Sequence, residues 1–193
     1  STHPGEEEVI AEAQRHLLSR EAGMLLVLAP RHPERGAAVA QLLERAGLTV
    51  ARRSVAAPIG PDTQVYLADT LGEMGLWFDL CPVAFIGGSL VPVGGHNAYE
   101  PVAHGAAVLT GPHVGNFADL YDRLTGAGGA LVLQDAKQIA ETVLTLQDPA
   151  RRAPMTEAAR AAIAAEGDAT ATTAAIILSA LASSGSAAAA SRA

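Results

Sequence analysis

The feature that most constrains this chain is a regular alternation between short, unbroken apolar runs and stretches with helical spacing. Met24-Leu25-Leu26-Val27-Leu28-Ala29 is one such run, closed by Pro30, and runs of this length mark strands covered on both faces. Residues 33–46 then carry apolar positions at helical spacing, with Gly47 as a stop. The pattern repeats, with strands at 49–52, 64–68, 83–86, 107–109 and 130–133 and helices at 71–78, 98–104, 117–124 and 136–146. Further helical stretches cover 149–165 and 170–182. A leading helix at 6–20 begins with Pro4 and three glutamates, Glu6, Glu7 and Glu8, where negative charge suits the helix dipole. About six strands alternating with helices predict an α/β fold, a Rossmann-like open parallel sheet with helices on both faces. Ligands of such a sheet sit beyond the C-terminal ends of the strands.

Size and composition allow that sheet to be buried. The chain has 193 residues, 49% of them hydrophobic, enough for the core of one domain. With only 4% aromatic residues, the core must come from Ala, Val, Leu and Ile between closely approaching layers. The domain is read as residues 1–182. Residues 183–193, an Ala/Ser tail, carry too little apolar surface to repay their ordering and are read as disordered. A net charge of -7, from 20 acidic and 13 basic residues, argues against nucleic acid as a partner, because counterion release needs a basic stripe. Cys81 has no partner for an internal disulfide and lies among Leu80, Pro82 and Val83, the setting of an inert thiol in a reducing, cytoplasmic compartment. The N-terminus has no secretory signal. The uncharged stretch 169–191 has strongly apolar residues only at Ile176, Ile177, Leu178 and Leu181, too few for a membrane span.

Unusual residues concentrate in three loops that follow strands. In Pro30-Arg31-His32-Pro33-Glu34-Arg35, Pro33 opens a helix and Arg31 either faces a phosphate or carboxylate or is simply solvated. In Asp69-Thr70-Leu71-Gly72-Glu73, Thr70 and Glu73 have capping-box spacing. The third loop runs from Gly87-Gly88-Ser89 to Gly94-Gly95-His96-Asn97-Ala98-Tyr99-Glu100-Pro101. There, Asn97 and Glu100 repeat the capping spacing, and Glu100 can equally accept from ribose hydroxyls. Its glycines let amides and the following helix N-terminus cradle an anion. A fourth junction, Gly111-Pro112-His113-Val114-Gly115-Asn116-Phe117, offers Asn116 as a helix N-cap.

Other chemistries find little support. No Gly-x-Gly-x-x-Gly follows the first strand and no Gly-Lys-Ser/Thr exists, which speaks against NAD and ATP. His96, His104 and His113 lack metal-ligand spacing, so they read as structural and no metal is assigned. No Ser-His-Asp arrangement is recognisable, and Cys81 lacks the basic neighbours of a nucleophile.

Taken in order, the three loops and Gly111-Pro112-His113 with Asn116-Phe117 resemble the Kdo (3-deoxy-D-manno-octulosonic acid) transferase family over about residues 1–135. The resemblance implies the C-terminal, donor-binding half of a two-domain GT-B glycosyltransferase of lipopolysaccharide synthesis, with CMP-Kdo as donor and no cofactor. By position, it implies that Pro30, Arg31, Leu71, Gly72, Glu73, Asn97, Ala98, Tyr99 and Glu100 hold the cytidine monophosphate, and that Ser89 and Gly95 line the path of the sugar or phosphate. Ala98-Tyr99 departs from the Pro-Leu frequent among relatives. The implied reaction is an inverting, metal-independent transfer to a lipid A precursor at the cytoplasmic face of the inner membrane. Its general base lies in the N-terminal half, so no catalytic residue is assigned here and the chain alone is expected to bind donor without turnover. That half would also carry the acceptor site and the membrane contact. The segment from Ser1 to Glu7 resembles the loop after the domain's first strand, which would then be missing. Alternatives are a GT-B transferase or epimerase using a UDP-sugar, or a standalone nucleotide-binding module.

Overall fold

The structure, a computed structural model, describes residues 1–165, 173–174 and 176–179. Among the described residues, six parallel strands form two three-stranded sheets. In the first, β1 (Leu26–Leu28) and β2 (Val50–Arg52) flank β3 (Val65–Leu67), with Leu26 and Val50 both opposite Val65. In the second, β5 (Ala107–Thr110) lies between β4 (Val83–Ile86) and β6 (Ala130–Val132). The strand count and the parallel sense match the sequence pattern. The single sheet does not form: β1 and β4 are not hydrogen-bonded to each other, and each sheet ends at a free edge there.

One helical layer nevertheless spans both sheets. Helices α1 (Glu7–Leu18), α2 (Gly36–Arg45) and α6 (Ala136–Leu146) cover one face. Their core joins Ile10, Leu43 and Ile139 to Leu28, Val65 and Leu67 of the first sheet and to Ala107 and Leu109 of the second. Because side chains alternate along a strand, Tyr66 and Val108 point to the other face. Tyr66 packs on Trp77 of α3 (Met74–Leu80). Val108 packs with residues of α4 (Tyr99–Ala103), α5 (Ala118–Gly126) and α7 (Pro149–Ala164).

Two helix starts are set by local chemistry. Asp135 caps α6 by accepting the Gln138 N–H at 2.8 Å, while the Gln138 side chain accepts the Gln134 N–H at 3.0 Å. At α7, Asp148 accepts the Ala150 N–H and Pro149 takes the first position, where a missing N–H costs nothing. Residues 173–174 and 176–179 are helical, whereas the predicted disordered tail at 183–193 lies outside the described residues. Among the described residues, no helix is long and apolar enough to cross a membrane.

Candidate functional site

Every predicted site residue lies beyond the C-terminal end of β1, β3 or β4, the side where a parallel sheet opens a crevice. Arg31, Asn97 and Glu100 line one cavity of about 730 Å³, together with His96. Arg31 is exposed; its backbone N–H is held by the Thr2 carbonyl at 2.9 Å, and its guanidinium has no recorded partner among the described residues. Pro30 is buried at the same strand end, paired with Thr2. An unpaired guanidinium beside a cavity is suited to a phosphate, which it can grip bidentately.

The second loop does not form the predicted capping box. Thr70 Oγ1 bonds the Glu73 carboxylate itself, and α3 begins only at Met74 with no side-chain cap. The Arg53 guanidinium takes Glu73 in a two-pronged pair at 2.6 and 3.1 Å. Arg53 and Thr70 together hold the Glu73 carboxyl down at about 2. With Glu73 so engaged, Leu71, which is 78% exposed, and Gly72, at φ 82°, offer an accessible turn of main chain. Only glycine adopts such a φ without strain. Leu71, Gly72 and Glu73 do not line the cavity, but Gly75 just beyond them faces the Glu100 Oε1 atom.

Asp69, ahead of that turn, is buried and accepts from Arg52 at 2.7 and 3.0 Å, from the Ser54 N–H at 2.9 Å and from the Ser54 hydroxyl at 2.7 Å. Burial alone would raise its carboxyl pKa, but the Ser54 and Arg52 bonds outweigh it and the net shift is downward. This carboxylate is thus fully spent on binding the β2 and β3 loops together.

The third loop corrects the anion-cradle expectation most clearly. The Gly88, Ser89 and Leu90 amides donate to the Glu6 carboxylate at 2.7, 2.9 and 2.9 Å, and the His3 amide donates to it at 2.9 Å. Glu6 is fully buried. The chain therefore fills its own amide nest, and Glu6 is not a surface dipole residue. Glu7 is likewise buried, paired with Arg35 at 2.8 Å and with the Thr2 hydroxyl at 3.0 Å. Neither role was visible in the sequence, because three adjacent glutamates read the same whether solvated or buried.

Ser89 is fully buried, donating to the Ile86 carbonyl at 2.6 Å and accepting the Gly111 amide at 2.8 Å. Gly95 is buried against Val114. Both support the loop from beneath and neither lines the cavity. Asn97 Oδ1 accepts the Tyr99 N–H at 2.8 Å, a local turn ahead of α4, whose N-cap is Ala98 with no side-chain cap, so the predicted capping box does not form. Helix α4 has five residues, too few for the helix-terminus anion site expected from the sequence. Ala98 is buried under the turn and Tyr99 half-buried, its hydroxyl 3.5 Å from Arg123. Asn116 does not cap α5; a 3-10 turn at Gly115–Phe117 intervenes, and its amide donates to the Val93 carbonyl at 3.2 Å.

His3 is a neighbour that sequence reasoning missed. Its ring stacks on His96 with centroids 5.0 Å apart and Nε2 atoms 2.9 Å apart, and His32 meets it edge-on at 6.1 Å. Burial first, then the neighbouring His3 and Arg31, push the His96 pKa down, leaving that imidazole neutral at pH 7. His104 instead pairs with Asp79 at 2.6 Å, and His113 is exposed.

Comparisons with known proteins fit this geometry. No protein-family profile matches the chain. It is 44% identical over 131 residues to a 3-deoxy-D-manno-octulosonic acid transferase of Haemophilus influenzae, covering 68% of this chain and 31% of that protein. It is 42% identical over 175 residues to the enzyme of the same name from Bordetella pertussis, covering 88% and 41%. The chain thus spans well under half the length of these relatives. The crystal structure of the C-terminal CMP-Kdo binding domain of WaaA from Acinetobacter baumannii superimposes with a TM-score of 0.80 at 36% identity, covering 84% of this chain and 86% of that one.

Proposed function

The chain belongs to the 3-deoxy-D-manno-octulosonic acid transferase family, and from that premise we propose that it is the donor-binding half of a transferase that moves Kdo from CMP-Kdo to a lipid A precursor. One observation carries the reading: an unpaired Arg31, with Asn97 and Glu100, converges on a single cavity beyond the strand ends.

In this reading, Arg31 binds the donor phosphate and Glu100 accepts from the ribose hydroxyls. The exposed main chain at Leu71 and Gly72 meets the cytosine edge, and Pro30, Ala98 and Tyr99, which do not line the cavity, hold Arg31, Asn97 and Glu100 in place from behind. Ser89 and Gly95 act from beneath, by fixing the loop. An acceptor hydroxyl attacks the anomeric carbon of Kdo from the face opposite the phosphate. The bond from that carbon to the phosphate oxygen breaks, and CMP departs with the electron pair. A base in the other half of the enzyme takes the hydroxyl proton. The negative charge gathering on CMP is what Arg31 stabilises, the task that preorganised cations perform in phosphate-leaving reactions.

Inversion, independence of metal, the lipid A acceptor and a place at the cytoplasmic face of the inner membrane are the parts of this proposal that concern the whole enzyme. The chain by itself is expected to bind donor and not turn it over. Isothermal titration with CMP, and with UMP and NAD as controls, tests the reading. Selective CMP binding supports it, whereas preferential UMP binding or no binding by a folded whole enzyme overturns it.

A further inference from the structure

At the rim of the cavity that Glu100 lines, α3 and α4 meet around a glycine. Gly75 stands in the first turn of α3, and a Cβ built on it would lie 3.4 Å from His104 Cε1, 3.5 Å from His104 Nε2 and 4.0 Å from Glu100 Oε1. Those are ordinary contact distances, and Gly75 is not among the residues with left-handed φ. Neither crowding nor backbone conformation asks for glycine here, and a glycine in a helix is less stable than alanine. What the missing methyl leaves is open space, bounded on the α4 side by one carboxylate and one imidazole.

Those two groups are held differently. Glu100 and His104, the latter at the C-cap of α4, stand four residues apart and share one face. Side chains lean toward a helix's N-terminus, which brings the His104 ring back toward Glu100. The ring is not free to turn, because its Nδ1 bonds Asp79 Oδ1 of α3 at 2.6 Å and Phe78 lies beside it with centroids 6.2 Å apart. A carboxylate accepts, so Nδ1 carries the hydrogen, and Nε2 of the neutral ring is left as an acceptor beside the space over Gly75. The side chain is 29% exposed, open to a ligand. The Glu100 carboxylate has no recorded partner among the described residues.

Two acceptors beside one open space select their ligand. An anion is repelled by Glu100, and a single amine would use only one of the two. Among the described residues, no group of three His, Cys, Asp or Glu stands ready for a metal ion. Two neighbouring hydroxyls satisfy both acceptors at once. We propose that Gly75, Glu100 and His104 form a subsite for a vicinal diol, in which His104 Nε2 joins Glu100 in accepting from the two ribose hydroxyls of the donor nucleotide. Asp79 is then a positioning residue that fixes the tautomer of His104. The subsite rests on the reading that the cavity holds a ribonucleotide, and it gives His104 a part in telling ribose from deoxyribose.

Titration of the whole enzyme with CMP, 2′-deoxy-CMP and 3′-deoxy-CMP tests the subsite. Removing the hydroxyl that His104 holds should weaken wild-type binding about three- to tenfold, the worth of one hydrogen bond. His104→Asn keeps a donor where Nδ1 stands and nothing where Nε2 stands. It should bind CMP about three- to tenfold more weakly and lose its preference for CMP over that one analogue. His104→Gln reaches the Nε2 position but lets go of Asp79, and should restore part of both. A residue that only ties α3 to α4 gives the reverse order, with Asn near wild type and Gln impaired, and that result overturns the proposal. Gly75→Ala is expected to keep or raise the melting temperature while weakening CMP by about tenfold, because its methyl takes the place of the ribose. Unchanged affinity there overturns the proposal as well. UMP titrated alongside keeps the two readings apart: the same deoxy pattern with UMP preferred sinks the Kdo donor and leaves the subsite, whereas selective CMP binding indifferent to both hydroxyls sinks the subsite and leaves the donor.

Discussion

At the ends of β2 and β3 the loops are tied side chain to side chain, Arg52 and Ser54 to Asp69 and Arg53 to Glu73. At the end of β4 the loop is tied main chain to one carboxylate, with Gly88, Ser89, Leu90 and His3 all donating to Glu6. The first arrangement is distributed and partly exposed, so losing one partner lets water replace it. The second is concentrated and dry, so losing Glu6 strands four N–H groups at once. The site draws on both: a loosely held turn at Leu71 and Gly72 on one side, a rigidly held loop leading to Asn97 and Glu100 on the other.

The largest expected effect follows directly. Glu6→Ala should cost about 3–5 kcal/mol in urea unfolding, the scale for breaking a buried charged network, with Glu6→Gln losing less because its amide oxygen still accepts. A loss below about 1 kcal/mol would erase the contrast. Asp69→Ala should cost about 2–4 kcal/mol, the smaller figure because Arg52 is already partly solvated. For Arg31→Ala we expect CMP affinity to fall by about 1.5–3 kcal/mol, the worth of a charge-assisted bond, with stability within about 0.5 kcal/mol. Unchanged affinity in titration would remove Arg31 from the site.

Acid should then separate the two regions by pH. The His96 pKa is depressed below 6.5, so in the window below that value the unfolded chain takes up a proton that the native one refuses, and stability falls with pH there. Glu73 is depressed from 4.5 to about 2, so its contribution is lost only below about pH 4.5. Thermal scans of His96→Asn should flatten the upper slope and keep the lower one, the remainder coming from His3, whose pKa burial also lowers; an unchanged upper slope would remove His96 from it. The smallest effect is reserved for Arg53→Ala, whose exposed ion pair with Glu73 should matter least at about 0.15 M salt and somewhat more at low salt.

Legibility followed the same division. Strand β4 and helix α6 match their predicted bounds, because an apolar run or a helical stripe is a local signal. The capping pair Asp135 and Gln138 passed unnoticed although its spacing was there to read. Asn116 and Thr70 were misjudged for the opposite reason, since capping spacing is necessary but a neighbour can outbid the helix for the side chain. The loops of the site were found as strand-end loops, and Arg31, Asn97 and Glu100 do share one cavity. That Glu6 occupies the amide nest was out of reach, because the partners lie more than 80 positions apart.

By itself, the sequence determined which segments are strands, that they run parallel in alternation with helices, and which loops lie at the crevice. Those follow from periodicity, burial demand and chain direction, all of them local or statistical properties of the chain. Only the tertiary structure decided that the strands part into two sheets at β1 and β4, that Glu6 and Asp69 are structural anions, and that His3 meets His96. Each of these depends on which distant groups reach one another once the layers close, where dry surroundings make one hydrogen bond or one unpaired edge outweigh any local preference.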